Sequence, residues 1–202
     1  MIETMRCFVA LDLAGEVVDS LRAAQGELRQ ALGGDPRVKW VSPAAMHLTL
    51  KFIGDRVDLG VTPAVTEALQ KATRRVPAFH LQVRGVGAFP KPDAARVLWA
   101  GLRAPGDLDE LWGCIEDRLE DVGFKRQARG LSPHVTLGRV RDHKATPDLS
   151  TTLQPLADRD FGPSPVHSVV LYRSTLTQQG PRYEALARAQ LKRPNTSRPA
   201  EN

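Results

Sequence analysis

One short pattern occurs twice in this chain, each time after the same dipeptide. Ser42-Pro43 leads into His47-Leu48-Thr49-Leu50, and Ser132-Pro133 leads into His134-Val135-Thr136-Leu137. In a β-strand, residues i and i+2 point to the same side of the sheet. His47 and Thr49 therefore share one face, as do His134 and Thr136. Leu48, Leu50, Val135 and Leu137 turn the other way, toward a core. A single H-x-T is compatible with any surface strand, but the duplication, with one long helical segment in each half, constrains the fold. Two related units about a pseudo-twofold axis bring the polar faces of the motif strands face to face. The expectation is an α+β fold of two pseudo-symmetric lobes.

The rest of the sequence fits this layout. Residues 6–13 alternate, with Cys7, Val9, Leu11 and Leu13 on one face and Arg6, Phe8, Ala10 and Asp12 on the other. Apolar residues at helical spacing mark residues 16–32, closed by Gly33-Gly34, and residues 107–122. A further helix is expected at 61–73. Strands are expected at 39–41, 47–52 (closed by Gly54-Asp55), 79–86, 96–102, 134–140 and 166–174, with a Gly/Pro-rich turn over 87–93. Residues 183–191 read equally well as helix or strand. One two-lobed domain is expected over residues 1–191, with a Pro-rich, polar and disordered tail over 192–202.

Composition narrows the function classes. With 202 residues, 42% hydrophobic and 25% charged, the chain has the make-up of a globular domain. No run of about 18 apolar residues exists, so no membrane span is expected, and the N-terminal apolar run is too short for a signal peptide. The expected location is the cytoplasm and the expected state a monomer. Two cysteines suffice neither for a disulfide framework nor for a thiolate zinc site. No Gly-rich phosphate loop follows a strand, which weighs against nucleotide-binding α/β folds. The net charge of +5 favours a polyanionic partner, and the basic run from Lys125 to Lys144 is either a phosphate-binding surface or a solvated face.

Two imidazoles and two hydroxyls suit phosphodiester cleavage. Near neutral pH one histidine can act as a base and the other as an acid. Threonine hydroxyls can hold the nonbridging phosphate oxygens. No H-E-x-x-H or comparable ligand set appears, so neither a metal nor another cofactor is expected. His80, His143 and His167 lack a threonine two residues on and are expected at the surface or at strand ends. Phe8 is a candidate to stack an RNA base, or else a core residue. Lys51, two residues after Thr49, is a candidate to steer phosphate, or else an exposed lysine.

Several further segments carry a resemblance: Arg6-Cys7-Phe8-Val9-Ala10-Leu11-Asp12-Leu13, Trp40-Val41, Lys51-Phe52-Ile53-Gly54, Gly87-Ala88-Phe89-Pro90, Arg96-Val97-Leu98-Trp99, Gly138-Arg139, Val170-Leu171-Tyr172-Arg173-Ser174 and Gly180-Pro181-Arg182-Tyr183. With the two motifs, they make the chain similar to the 2H phosphoesterase superfamily, and within it to the LigT-like RNA 2′,3′-cyclic phosphodiesterases. The resemblance implies that each lobe is an antiparallel sheet with helices packed outside, that the active-site cleft lies between the two sheets, and that residues 183–191 form a strand. It also implies that His47 is the proton donor, that His134 is the proton acceptor, and that Thr49 and Thr136 bind phosphate. Arg139 would contact substrate, although strict alternation points it away from His134 unless the strand ends or twists at Gly138. The implied activity is metal-independent hydrolysis of an RNA-terminal 2′,3′-cyclic phosphodiester to a 2′-phosphomonoester. Other readings are a phosphodiesterase for 2′-5′ oligonucleotides or a small cyclic nucleotide, a 2′-5′ RNA ligase, and a non-catalytic RNA-binding module.

Overall fold

The computed structural model describes residues 3–103, 106–141, 148–178 and 180–193. Its strands are β1 (Thr4–Asp12), β2 (Val38–Trp40), β3 (His47–Asp58), β4 (Phe79–Phe89), β5 (Val97–Arg103), β6 (His134–Val140), β7 (Asp160–Val166), β8 (Ser168–Thr177) and β9 (Gly180–Gln190). Its α-helices are α1 (Gly15–Ala31), α2 (Thr62–Thr73), α3 (Gly106–Glu120) and α4 (Ser150–Leu153). The strands lie in the order β7-β4-β5-β6-β3-β1-β8-β9, with β2 added alongside β6. The described pairings are antiparallel throughout. The two halves of this curled sheet meet between the motif strands, at the pair Leu48↔Val135.

The repeats interlock. Apart from the short β2 inserted before β3, each runs strand, long helix, motif strand, shorter helix: β1-α1-β3-α2, then β5-α3-β6-α4. The next strand then crosses over, since β4 pairs with β5 of the second repeat and β8 pairs with β1 of the first. The helices cross as well. Helix α1 buries Val17, Leu21, Ala24, Gln25 and Leu28, packs against β7 and reaches β6 through Gln25. Helix α3 buries Leu108, Leu111, Ile115, Glu116 and Leu119 and reaches β3 through Glu116. Each half of the sheet is therefore covered by a helix from the other repeat. Leu48, Leu50, Val135 and Leu137 lie in the core beneath the helices, leaving the opposite face open.

Several boundaries differ from the sequence reading, and long-range pairing is the reason. Strand β3 does not stop at Gly54-Asp55 but continues to Asp58, because β1 pairs with it along its length. Strand β4 runs through the expected turn to Phe89, which pairs with Val97 of β5. Strand β7 escapes sequence reading because Pro163 and Pro165 interrupt it; it is tolerated at the sheet edge, where a missing N–H costs little. Residues 183–191 pair with β8 as a strand despite their alanines. Lys192, assigned by sequence to the tail, donates its backbone N–H to the Val76 carbonyl and accepts from the Ala78 amide. The remaining expected tail, 194–202, lies outside the described residues. Among the described residues no helix is long and apolar enough to cross a membrane.

Lys51 is the plainest correction to the sequence reading. Its side chain is 2% exposed and turns away from Thr49 into the interface with α3. There its ammonium donates to Glu116 Oε2 at 2.7 Å and to the Lys125 carbonyl at 2.8 Å. The same carboxylate oxygen accepts from the Gln127 amide at 2.9 Å. The pair thus clips the loop after α3 onto β3. Removing one partner strands a buried charge, which typically costs about 3–5 kcal/mol. Lys51→Met is expected to lose stability on that scale in urea unfolding, and the double variant Lys51→Met/Glu116→Leu to regain most of it. Equal losses in the two variants would show that the stranded charge is not the cause.

Candidate active site

The open face of the motif strands forms the floor of a cleft of about 990 Å³ lined by His47, Thr49, His134 and Thr136. The antiparallel register about Leu48↔Val135 sets His47 across from Thr136 and Thr49 across from His134. The two imidazoles therefore stand on one diagonal of a square and the two hydroxyls on the other.

Both rings are held in the same way. His47 Nδ1 lies 2.9 Å from the Ala45 carbonyl, and His134 Nδ1 lies 2.8 Å from the Ser132 carbonyl, each two residues upstream. A carbonyl can only accept, so each Nδ1 carries a proton and each Nε2 is left for other partners. In neutral His47, Nε2 accepts from the Thr49 hydroxyl at 3.0 Å. Burial lowers the His47 pKa to about 4, against the opposing pull of the Ala45 carbonyl and the Asp12 carboxylate. The burial comes from aromatic rings: Phe8 stacks on the imidazole at 4.8 Å, and Tyr183 meets it edge-on at 5.2 Å. Phe8 is 5% exposed and also packs against Tyr172, so it supports His47 rather than offering a face to a base. Beyond it, Tyr172 donates to Asp12 at 2.6 Å and Arg188 donates to the other Asp12 oxygen at 2.9 Å. Burial and the Asp12 carboxylate push the Tyr172 phenol up to about 12.

A bulge at the fourth residue of each motif sets the direction of the side chains after it. On β3, Thr49 pairs with Ala10 and Lys51 with Val9, leaving Leu50 as an extra residue. On β6, Thr136 pairs with Trp99 and Gly138 with Leu98, leaving Leu137 extra. Each insertion shifts the alternation by one. Lys51 and Gly138 consequently point inward, while Phe52 and Arg139 point into the cleft. The strand thus neither ends at Gly138 nor leaves Arg139 on the core side, because the bulge returns Arg139 to the side of His134. Gly138 is small because β2 crosses closely there; a Cβ would sit 3.2 Å from Val38 and 3.3 Å from Trp40. Each bulged residue has its carbonyl held by a glutamine. Gln25 Nε2 donates to Leu137 O at 2.7 Å, and Gln127 Nε2 donates to Leu50 O at 3.1 Å. Sequence alternation alone could not reveal this, since both glutamines are remote in the chain from the carbonyls they bind.

Among the described residues of the basic run, Arg139 lines the cleft, and the other cations of the cleft come from elsewhere in the chain. These are Arg6, Arg22, Arg29 and Lys39. Arg126 turns to Asp117 and Glu120 on α3, and neither Arg129 nor Arg141 lines the cleft. His80 and His167 are exposed, and His143 lies outside the described residues. Among the described residues no three His, Cys, Asp or Glu side chains come together as metal ligands.

Known proteins share this arrangement of the chain. A family model described as LigT like Phosphoesterase matches residues 11–99 and 103–183. The chain is 34% identical over 182 residues to an RNA 2′,3′-cyclic phosphodiesterase of Archaeoglobus fulgidus, covering 90% of this chain and 98% of that protein. It is 37% identical over 150 residues to a protein of the same name from Aeropyrum pernix, covering 74% and 84%. Among solved structures, TT0787 of Thermus thermophilus superposes with a TM-score of 0.78 at 28% identity, covering 95% of this chain and all of that one. Apo LigT of E. coli shares the fold with a TM-score of 0.71 at 24% identity, covering 94% and 99%.

The depressed His47 pKa has a testable consequence. Its folded value lies below the unfolded value near 6.5, so the unfolded chain binds the proton more readily, and stability from this group is lost as pH falls from about 6.5 toward 4. An imidazole titration followed by NMR should place the His47 midpoint near 4 in the empty cleft. Saturating inorganic phosphate should raise it, because a nearby anion favours imidazolium. A midpoint near 6.5 without phosphate would refute burial as the controlling influence.

Proposed function

The chain belongs to the LigT-like phosphoesterase family and is a phosphodiesterase of the two-histidine type, and from that premise we propose that it opens the 2′,3′-cyclic phosphate at an RNA end to leave a 2′-phosphomonoester. The observation that carries this reading is the square of two imidazoles and two hydroxyls, with both Nδ1 atoms tied to carbonyls. In-line displacement requires nucleophile and leaving oxygen on opposite sides of phosphorus, and a phosphate centred on the square has one imidazole on each side.

His134 Nε2 takes a proton from the attacking water as its oxygen bonds to phosphorus. The P–O3′ bond breaks, and O3′ takes a proton from His47 Nε2. Thr49, Thr136 and Arg139 hold the nonbridging oxygens. The empty cleft keeps His47 neutral, so the proton it delivers arrives with the anionic substrate, whose charge offsets the desolvation. The Asp12 carboxylate, paired with His47 in register, favours the same imidazolium. Every proton is moved by the chain's own side chains, and activity is expected to persist in excess EDTA.

His47→Ala and His134→Ala should each reduce turnover at least ~100-fold on an oligoribonucleotide ending in a 2′,3′-cyclic phosphate. Phosphorus NMR of the wild-type product should show a 2′-monoester; a 3′-monoester would reverse the leaving oxygen. We assign the RNA strand beyond the cyclic end to Arg22, Arg29 and Lys39 because these cations line the same cleft. Neutralising these three should flatten the salt dependence of ten-mer binding, by a log–log slope of about 0.7 for each phosphate no longer engaged. Arg126→Ala should leave the slope as it is. The opposite pattern would move the RNA path to the loop after α3.

A further inference from the structure

The strands beside the two motifs are equivalent position by position. Ala10 stands opposite Thr49 as Trp99 stands opposite Thr136, and Asp12 stands opposite His47 as Gly101 stands opposite His134. A carboxylate therefore flanks one imidazole, while a residue without a side chain flanks the other. No side chain fits at Gly101, where a Cβ would sit 2.7 Å from the Arg84 carbonyl oxygen. The partners of Asp12 are one-sided too. Tyr172, which pairs with Phe8, donates to one carboxylate oxygen; its counterpart, which pairs with Val97, is Phe89 and has no hydroxyl. Arg188 of β9 donates to the other oxygen, whereas the described pairing of β7, the outer strand of the other half, stops at Arg84. Neither Asp12, Tyr172 nor Arg188 lines the cleft, so any part they play in the reaction passes through His47.

The charged or titratable side chains that face His47 are Asp12 from β1, His134 from β6, Tyr172 from β8 and Tyr183 from β9. Both phenols stay neutral near pH 7, because burial raises Tyr183 and pushes Tyr172 up to about 12. A charged His134 opposes a second positive charge, so among these groups only Asp12 favours imidazolium against the burial of the ring. We infer that Asp12 is a positioning residue for the acid, held where its carboxylate lets His47 carry a proton under its aromatic cover, and that Arg188 sets how much of that carboxylate's charge the imidazole feels. These roles rest on the cyclic-phosphodiesterase reading and deepen it. The side chains of Asp12 and Arg188 are 40% and 45% exposed, so water screens the pair and Arg188 offsets the carboxylate only in part. Tyr172 orients the carboxylate without changing its charge. Two bonded neighbours thus act on His47 with opposite sign: neutralising Asp12 weakens the imidazolium, and neutralising Arg188 strengthens it. A purely structural ion pair gives no such reversal, since removing either partner breaks the same contact.

The test follows kcat on adenosine 2′,3′-cyclic phosphate across pH. On the alkaline limb kcat tracks the fraction of His47 still protonated, and on the acidic limb the fraction of His134 still neutral. In Asp12→Asn, which keeps the shape of the side chain, the ratio of alkaline-limb to acidic-limb kcat should fall about three- to tenfold; in Arg188→Gln it should rise about two- to threefold. A ratio unchanged in either variant, or shifted the same way in both, would overturn the inference. Imidazole titration by NMR in saturating inorganic sulfate, whose charge is constant over this range, needs no turnover. There the His47 midpoint should fall in Asp12→Asn and rise in Arg188→Gln, with His134 moved less in both. If the wild type does not hydrolyse the cyclic phosphate, the catalytic reading has failed, and the midpoints still decide the electrostatic roles: opposite shifts support them, and shifts of one sign, or none, reject them.

Discussion

Two backbone carbonyls, those of Leu50 and Leu137, govern what this cleft contains. Each belongs to the extra residue of a β-bulge, and each is held by a glutamine amide from another part of the chain. A strand alternates with a period of two, so one inserted residue inverts every side chain after it. Without the bulges, Arg139 and Phe52 would face the helices, and Lys51 would stand exposed beside Thr49. With them, the cleft gains a cation and an aromatic ring, and the lysine becomes an internal tie. A bulge carbonyl left unpaired in the core would cost a substantial part of a small domain's stability. Gln127 binds the Leu50 carbonyl, and Gln25 shares the Leu137 carbonyl with the Val41 amide 2.9 Å away, so the inverted phase is both tolerated and fixed.

The interlocked repeats supply these ties. Because α1 reaches β6 and α3 reaches β3, each long helix delivers its buried polar residue to the motif strand of the opposite repeat. Gln25 reaches Leu137 directly. Glu116 acts through the loop after α3: it anchors Lys51 and the Gln127 amide, and Gln127 in turn binds Leu50. The cleft floor is thus assembled from both repeats, and neither repeat alone contains a complete set of groups around a phosphate.

Burial sets the electrostatics of the floor unevenly. His47 is pressed between Phe8 and Tyr183 and is held neutral when the cleft is empty, while Asp12, itself bound by Tyr172 and Arg188, favours its charged form. These opposing influences make its protonation sensitive to an anion in the cleft. His134 makes the matching Nδ1 contact and meets the Phe89 ring edge-on at 5.2 Å. Two residues with identical local motifs thereby acquire different surroundings.

The sequence by itself determined the motif strands, their polar and apolar faces, the three longer helices and the α+β class, because these follow from periodicities of two and 3.6 within a few residues. It placed His47, Thr49, His134 and Thr136 on shared faces for the same reason. Resemblance, not periodicity, settled residues 183–191 as a strand, since Ala185, Ala187 and Ala189 suit a helix locally and become a strand only against β8. Tertiary structure decided the destinations of Lys51, Phe52 and Arg139, the packing of Phe8 against His47, and the basic residues that line the cleft. All of these depend on partners distant in the chain, and a hydrogen bond from Gln25 to Leu137 or from Gln127 to Leu50 leaves no mark in any local pattern.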